Sequence, residues 1–493
     1  MSDTPADAVE LARRVREGEV SSRELVDAAL TALDEVDPQL NAVVWRDDAR
    51  ARRWAERSPE GPFAGVPFVV KDLDGDEADV PNTGSSRFLR DYVPTADSVV
   101  ISRLKKAGFV FLARTNCPEL GIMGTTEPEL RGPTHNPWNL DHSVGGSSGG
   151  SAALVAAGVV PAAHGGDGGG SLRIPASACG LFGLKPSRGR VPVQGGEGWG
   201  GFVQQGVITR SVRDTAAILD VLAGPAPGSP YTAPPLPGPL ADEVGKEPGK
   251  LRVAFSTASL YGEHTDPDCA RAVTEAAALL EELGHEVIEA APALDTAALA
   301  RGYLVQVAAG TAANVRGFET LLGRRSSPSD WEPATWFLVQ LGEKLSALQL
   351  QQARDLHHAA AHTMARFHEA HDVWLTPTLA HPPVRLGELA LARRERLGLA
   401  ALRALPVKAL MEQALDQLAS DSLEKTPNTQ LFNQTGQPAM SLPLGWSSTG
   451  LPIGVQVAAA YGREDLLVRL AAQVETARPW AHRAPPVASA WLR

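Results

Sequence analysis

The stretch that decides the fold runs from Gly145 to Gly189: GGSSGGSAALVAAGVVPAAHGGDGGGSLRIPASACGLFGLKPSRG. It holds two glycine–serine nests, Gly145–Ser151 and Gly165–Ser171, joined by an apolar, alanine-rich run. Glycine tolerates positive φ and admits close approach, so successive backbone N–H groups can converge on one point. A serine ending such a nest sits where amide donors face a developing negative charge, as acyl transfer requires. Taken singly, either nest would serve as a flexible linker. The flanks argue otherwise. Ser151–Gly158 reads as a helix, Val159–Ala163 as a short strand, and Leu172, Ile174, Leu181, Phe182 and Leu184 as core.

Three other motifs are weighed against this stretch. A phosphate loop needs G-x-x-x-x-G-K-[ST], which occurs nowhere in the chain. A G-x-G-x-x-G runs from Gly196 to Gly201, but FVQQG follows it instead of a helical pattern, so the match is chance. A nucleophile elbow, G-x-S-x-G, fits with Ser147 or Ser148 at its centre, yet HNPWNLDHSV precedes it where a buried strand should stand.

Working outward, the chain has 493 residues, 43% hydrophobic and 21% charged, as a soluble globular protein would. A net charge of −11 without a long Lys/Arg run argues against nucleic acid or an anionic membrane as the main partner. MSDTPADAVELARRV lacks an apolar signal region, no apolar run reaches membrane-spanning length, and a cytoplasmic location is expected. Cys117, Cys179 and Cys269 fit neither a zinc spacing nor a disulfide framework. Cys179, set among core residues, reads as packing. His358 and His362 have i, i+4 spacing but no H-E-x-x-H, so they read as a solvated face, with no metal expected.

Residues 6–58 read as helical, with Ser21 and Glu24 forming a capping box ahead of LVDAALTALDEV. Gly65–Lys71 (GVPFVVK) is a short buried strand that closes on a lysine, a costly arrangement unless that lysine is paired or neutral. Ser98–Gly108 reads as a helix and Phe109–Ala113 as a strand. Gly224–Lys250 is a proline-rich surface excursion. Leu251–Ser256, a helix through Ala270–Leu283, and HEVIEA make a β–α–β unit. Helical spacing fills 297–370 and 392–420, with a strand at Val373–Leu379 between them. PAMSLPLG and GLPIGVQVAAA then read as strands before a closing helix, EDLLVRLAAQVE. This alternation implies an α/β layered architecture.

GGSSGGSAALVAAG followed by GGDGGGSLRIPASACGLFGLKPSRGR resembles the signature of the amidase signature family. GVPFVVKD resembles the family's lysine strand, TNCPEL the segment after it, and FNQTGQPAMSLPLG with GLPIGVQV its C-terminal pattern. The likeness spans nearly the whole chain and is weakest over residues 285–425. Within the family, NPWNLDHSVGGSSGG, LRIPASACG and VQVAAAYGREDLL most resemble bacterial aminohexanoate cyclic-dimer hydrolases.

The resemblance implies a single α/β/α domain over 1–493 around a large mixed β-sheet, with an N-terminal helical region at 1–60 and a variable, mainly helical insert at 297–425. It implies Ser171 as nucleophile, Ser147 as a bridging serine on a cis peptide, and Lys71 as the catalytic lysine. The backbone N–H groups of Gly168, Gly169, Gly170 and Ser171 would form the oxyanion hole, and Asp167 and Arg173 would hold the loop. Gly166 and Gly168 stand where the family usually has threonines, which leaves the hole intact and the loop less rigid.

Elementary chemistry agrees with that assignment. A serine hydroxyl needs a base to take its proton, and a lysine can act only when neutral. Its pKa of about 10.4 must fall towards about 7 or 8, a shift worth roughly 4 kcal/mol and within reach of burial. Ser147 can accept and donate at once, relaying between Ser171 and Lys71. No metal or organic cofactor is expected, and the partner is a small-molecule amide, with a homodimer allowed. Ile174, Trp331, Trp336 and Phe337 are candidates for an apolar pocket wall suited to aliphatic or aryl amides or aminohexanoate-type oligomers. Two alternatives stand beside this reading. A glutaminase subunit of a tRNA-dependent amidotransferase would resemble S-I-R-Q-P where this chain has Ser171-Leu-Arg-Ile174-Pro. The other is an inactive binding protein on the same fold.

Overall fold

Short β-branched runs build the centre of the molecule. A computed structural model describes residues 6–490 apart from 58, 194–197, 263, 391–414, 416–422, 424, 425 and 427. Its first half supplies β1 (Val43–Arg46), β2 (Pro67–Lys71), β3 (Val110–Thr115), a hairpin of β4 (His135–Asn136) and β5 (Asn139–Ser143), β6 (Ala162–Asp167), β7 (Phe182–Lys185) and β8 (Gln204–Thr209). The second half adds β9 (Arg252–Phe255), β10 (Glu286–Glu289), β11 (Val373–Pro377), β12 (Ala439–Trp446) and β13 (Pro452–Ala459). All but the hairpin join one eleven-stranded sheet, in the order β1-β3-β2-β6-β8-β7-β12-β13-β11-β9-β10. It is mixed: β2 runs parallel to β3 and β6, and β9 to β10 and β11, while the other pairs are antiparallel.

Both faces of the sheet are covered. Phe68 and Val70 enter one apolar cluster and Val69 another, and Ala162 and Ala163 divide in the same way, as do Val207 and Ile208. Successive strand side chains point to opposite faces, so burial on both sides demands the near-continuous apolar runs seen in β2 and β3. The helices that cover them begin with α1 (Ala8–Arg16), α2 (Ser22–Leu40), α3 (Asp48–Glu56), α4 (Val99–Lys106), α5 (Gly149–Ala156) and α6 (Arg173–Cys179). A short α7 (Gly198–Gly201), α8 (Val212–Leu222) and α9 (Pro267–Glu282) follow. The long α10 (Thr296–Leu322), α11 (Pro333–Lys344) and α12 (Ala347–Ala370) pack on one another, and α13 (Leu431–Thr435) and α14 (Glu464–Ala477) close the list. Ser21 and Glu24 form the expected capping box, and α2 buries Leu25, Val26, Ala29, Leu30, Leu33 and Val36, a helical stripe. Among the described residues no helix is long and apolar enough to cross a membrane.

Three expectations need correction. The region 6–58 is not wholly helical, because Val43, Trp45 and Arg46 pair antiparallel with β3. The strand expected at Val159–Ala163 instead spans Ala162–Asp167 and takes in half of the second nest: Gly165, Gly166 and Asp167 pair with Gly206, Gln205 and Gln204. Glycine is required there by close packing, since a Cβ on Gly165 would stand 2.7 Å from Leu172 Cδ2 and 2.8 Å from Ser148 Oγ. The proline-rich excursion carries one short 3₁₀ turn, Leu240–Glu243, whose leading amides donate to Asp220. The helix expected over 392–420 lies outside the described residues except Leu415, which is helical and buried.

Candidate active site

β2 delivers Lys71 into the interior, where it is 1% exposed and its Nζ lies 2.7 Å from Ser147 Oγ. Burial lowers the Lys71 pKa from its ordinary 10.5, against the pull of the nearby acidic groups Cys117, Asp74 and Asp167. A lysine so placed favours the neutral amine, which can take a proton. Ser147 follows a cis Gly146–Ser147 peptide and is 2% exposed. Gly121, at φ +69°, passes so near that a Cβ there would lie 3.1 Å from Ser147 Oγ.

The second nest is held from below by Asp167. Its carboxylate accepts from the amides of Gly170 (2.8 Å) and Leu172 (3.2 Å), and from Arg173 Nε (3.0 Å) and Nη2 (2.9 Å). Arg173 also donates to the Thr429 carbonyl, Gln456 and Asn433, and Asn433 donates back to the Asp167 carbonyl and carboxylate. Burial pushes the Asp167 carboxyl up, but the Arg173 guanidinium outweighs it and holds the group at about 2. Both side chains are fully buried, so each charge depends on the other. Arg173→Met should destabilise the fold by about 3–5 kcal/mol, read as a lower denaturant midpoint, because an uncompensated buried carboxylate remains. Arg173→Lys should recover little, since an ammonium cannot reproduce the forked contacts.

From above, aromatic and polar side chains press on the nest. A Cβ on Gly168 would stand 3.1 Å from the Trp199 ring, one on Gly169 2.2 Å from Tyr303 Oη, and one on Gly170 2.4 Å from Thr429 Oγ1. Tyr303 Oη also donates to the Gly168 carbonyl at 3.3 Å. These contacts buttress a loop whose glycines alone would leave it free. Ser171, at the nest's end, is 8% exposed. The Gly170 amide, one of the four donors expected at an oxyanion hole, already donates to the Asp167 carboxylate at 2.8 Å.

Ser148, the rival elbow serine, is completely buried and its hydroxyl donates to the Gly166 carbonyl. Ile174 is wedged between the nests, with Cγ2 3.0 Å from where a Gly145 Cβ would be and Cδ1 2.9 Å from one on Gly170. Trp331 packs tilted against Phe88 at 5.1 Å between ring centres, in a cluster with Leu120 and Val339 against which Trp336 also packs. Phe337 belongs to a different cluster, with Phe202 and Tyr303. His358 and His362 are exposed, whereas His357 is buried against Phe202. The thiols of Cys117, pushed up to about 12 by burial, and Cys179 are fully enclosed.

Sequence reasoning missed several participants. Asn433, Gln456 and Thr429 fall in or near the C-terminal pattern but had no role attached. Lys185, closing the apolar strand β7, is a second fully buried lysine; its Nζ donates to the Pro186 carbonyl and burial lowers its pKa strongly. The signal that singled out Lys71 was present there too.

Comparison with known proteins places this geometry in context. A family model described as Amidase matches residues 24–468. The 6-aminohexanoate-cyclic-dimer hydrolase of Pseudomonas sp. (strain NK87) is 41% identical over 488 residues, spanning 97% of this chain and 96% of that protein. The acylamidase of Rhodococcus erythropolis is 34% identical over 491 residues, with 97% and 96% covered. A solved structure of 6-aminohexanoate cyclic dimer hydrolase complexed with substrate superposes with a TM-score of 0.90 at 39% identity, covering 99% of both chains.

Proposed function

Because the chain belongs to the amidase family and is an amidase, we propose that it hydrolyses its amide through an acyl-enzyme on Ser171. In this reading Ser147 takes the Ser171 hydroxyl proton and passes its own to neutral Lys71. Ser171 Oγ bonds to the amide carbonyl carbon, and the oxygen's developing charge meets the amides of Gly168, Gly169 and Ser171. The C–N bond then breaks as the proton returns from Lys71 through Ser147 to the departing amine. Water, deprotonated by the same relay, attacks the ester and frees the acid and Ser171. Ser147 suits the middle position because a hydroxyl donates and accepts at once.

One observation carries the reading: a buried lysine amine 2.7 Å from a buried serine hydroxyl, with no ion pair to that lysine among the described residues. The other fully buried lysine, Lys185, donates to the Pro186 carbonyl, whereas Lys71 meets a serine hydroxyl that can exchange a proton with it. The proposed substrates are aliphatic or aryl amides, including cyclic or linear aminohexanoate-type oligomers. Support comes from the names of the relatives, from the intact Lys71, Ser147 and Ser171, and from Ile174 standing where a glutaminase would carry glutamine. Each added CH₂ of acyl chain buried against apolar walls should contribute about 0.8 kcal/mol, close to fourfold in kcat/KM. The test is kcat/KM across acyl amides of rising chain length, with the aminohexanoate cyclic dimer and free glutamine included. A rising series with glutamine poorest is expected. A flat series, or glutamine as the best substrate, would restore the glutaminase reading.

A further inference from the structure

The glycine-rich run Gly196–Gly201, which matches a dinucleotide fingerprint only by chance, has another use in the fold. Its described part, Gly198–Gly201, is a turn with all four residues in the left-handed region, at φ 39°, 50°, 67° and 91°. Glycine accepts that backbone freely, but the second of the four is Trp199, a bulky residue strained at positive φ. The turn is fixed by its surroundings. The Gly201 carbonyl accepts from Arg188 Nε at 2.8 Å and Gln204 Nε2 at 3.0 Å, and the Gly198 carbonyl from the Val203 amide at 3.2 Å. A Cβ on Gly200 would stand 2.6 Å from Gln306 Nε2 on α10. Strain of this kind persists only where neighbours over-determine it, and it gathers at functional sites. What it delivers here is an indole. A Cβ on Gly168 would stand 3.1 Å from both Cε3 and Cζ3 of that ring, and one on Gly310 of α10 2.6 Å from its Cδ1. Gly310 lies in a helix interior, where glycine is disfavoured, and it makes room for the ring. The threonine that the family resemblance leads one to expect at 168 would collide with it.

We propose that Trp199, seated between Gly168 and Gly310, is a specificity-determining wall of the substrate site, packing against the acyl chain of the amide. The inference rests on the reading of Ser171 as acyl carrier. Phe202 and Tyr303, in the apolar cluster that Trp199 packs against, are buried, whereas Trp199 keeps part of its surface open. In the nest, Gly168 and Gly170 are buried and Gly169 is partly open, so the nest opens one residue from the indole. Chemistry decides which half of the substrate meets the ring. The departing amine takes its proton from Ser147, and Ser147 lies against a different segment. A Cβ on Gly121 would stand 3.1 Å from Ser147 Oγ, and one on Gly146 2.8 Å from the Thr125 carbonyl oxygen. The close approaches of Trp199 are instead to Gly168 and Gly310. With the carbonyl oxygen turned to the nest amides and the amine to Ser147, the acyl chain is the substituent left to meet the indole. A flat ring offers apolar area and no charge, so it matches a run of methylenes or an aryl group.

The experiment measures kcat and KM for acyl p-nitroanilides from acetyl to octanoyl, and for acetamides of a lengthening amine. It compares the wild type with Trp199→Gly, Trp199→Phe and Gly310→Ala. Glycine takes φ +50° without strain, so Trp199→Gly should fold. In that variant the octanoyl-to-acetyl ratio of kcat/KM should fall about tenfold, chiefly through KM. Trp199→Phe keeps part of the wall and should lower the ratio less. Gly310→Ala keeps the indole but pushes it from its seat, and it should lower the ratio too. The ratio along the amine series should stay at its wild-type value. An unchanged acyl ratio in Trp199→Gly, or a fall in kcat equal at every acyl length, would overturn the inference and leave the ring a buttress of the nest. A loss that follows amine length would overturn it as well, placing the ring beside the leaving group. Failure of the underlying reading shows separately: Ser171→Ala with wild-type turnover would remove the acyl carrier itself, whatever the ratios.

Discussion

Ser171→Ala should fold normally and lose activity by a factor on the order of 10⁶. The size of the loss follows from the geometry. No second hydroxyl can substitute: Ser147 is held by Lys71 at 2.7 Å, and Ser148 is buried with its hydroxyl on the Gly166 carbonyl. The nest itself should survive, because Asp167, Arg173 and Asn433 hold it through backbone amides and charged groups that do not involve the Ser171 hydroxyl. An unchanged denaturation midpoint together with absent turnover is therefore the expected pair of results. A variant retaining more than about one part in 10³ of wild-type activity would show that Ser171 does not carry the covalent chemistry.

Lys71→Met should lower kcat/KM by about 10³–10⁴-fold, the usual span for removing a general base. Methionine keeps the length and apolar stem of lysine, so packing in β2 is preserved. Its effect on stability has the opposite sign. The folded-state pKa of Lys71 is depressed by burial below 10.5, so at neutral pH the unfolded chain binds a proton that the folded chain does not favour. That difference makes stability rise with pH between the folded pKa and 10.5, and disfavours folding below that window. Lys71→Met removes the penalty, so its thermal midpoint at pH 7 should exceed that of the wild type, with the gap closing as pH approaches 10.5. Stability given up for reactivity in this way is the familiar trade at a site built for chemistry. A variant that is less stable at every pH would mean that Lys71 is charged and satisfied in the fold.

Much of this site could be read from the chain because its signals are local. A strand closing on a lysine, and a glycine nest ending in a serine, can each be read within a few consecutive residues. What stayed hidden depends on contacts between distant segments. Asn433 reaches Asp167 across 266 residues, and nothing near Asn433 announces a partner. The true extent of β6 was missed because glycines carry no strand preference of their own. Gly165 and Gly166 are strand only through their pairing with Gly206 and Gln205. The short strand β1 was overlooked for a related reason, since four residues between two helices gain their structure only by pairing with β3. The Gly170 amide was assigned to the oxyanion hole from the motif alone, whereas folding turns it toward the Asp167 carboxylate. Ile174 was legible as apolar but not as the wedge that both nests press against.

The central claim is that the hydroxyl at the end of the second nest becomes the acyl carrier. It is tested most directly by labelling the purified enzyme with a fluorophosphonate and mapping the adduct by peptide mass spectrometry. The account predicts one adduct per chain, on Ser171, formed faster as pH rises through the Lys71 ionisation and strongly slowed in Lys71→Met. An adduct on Ser147 or Ser148, or undiminished labelling in Ser171→Ala, would contradict it.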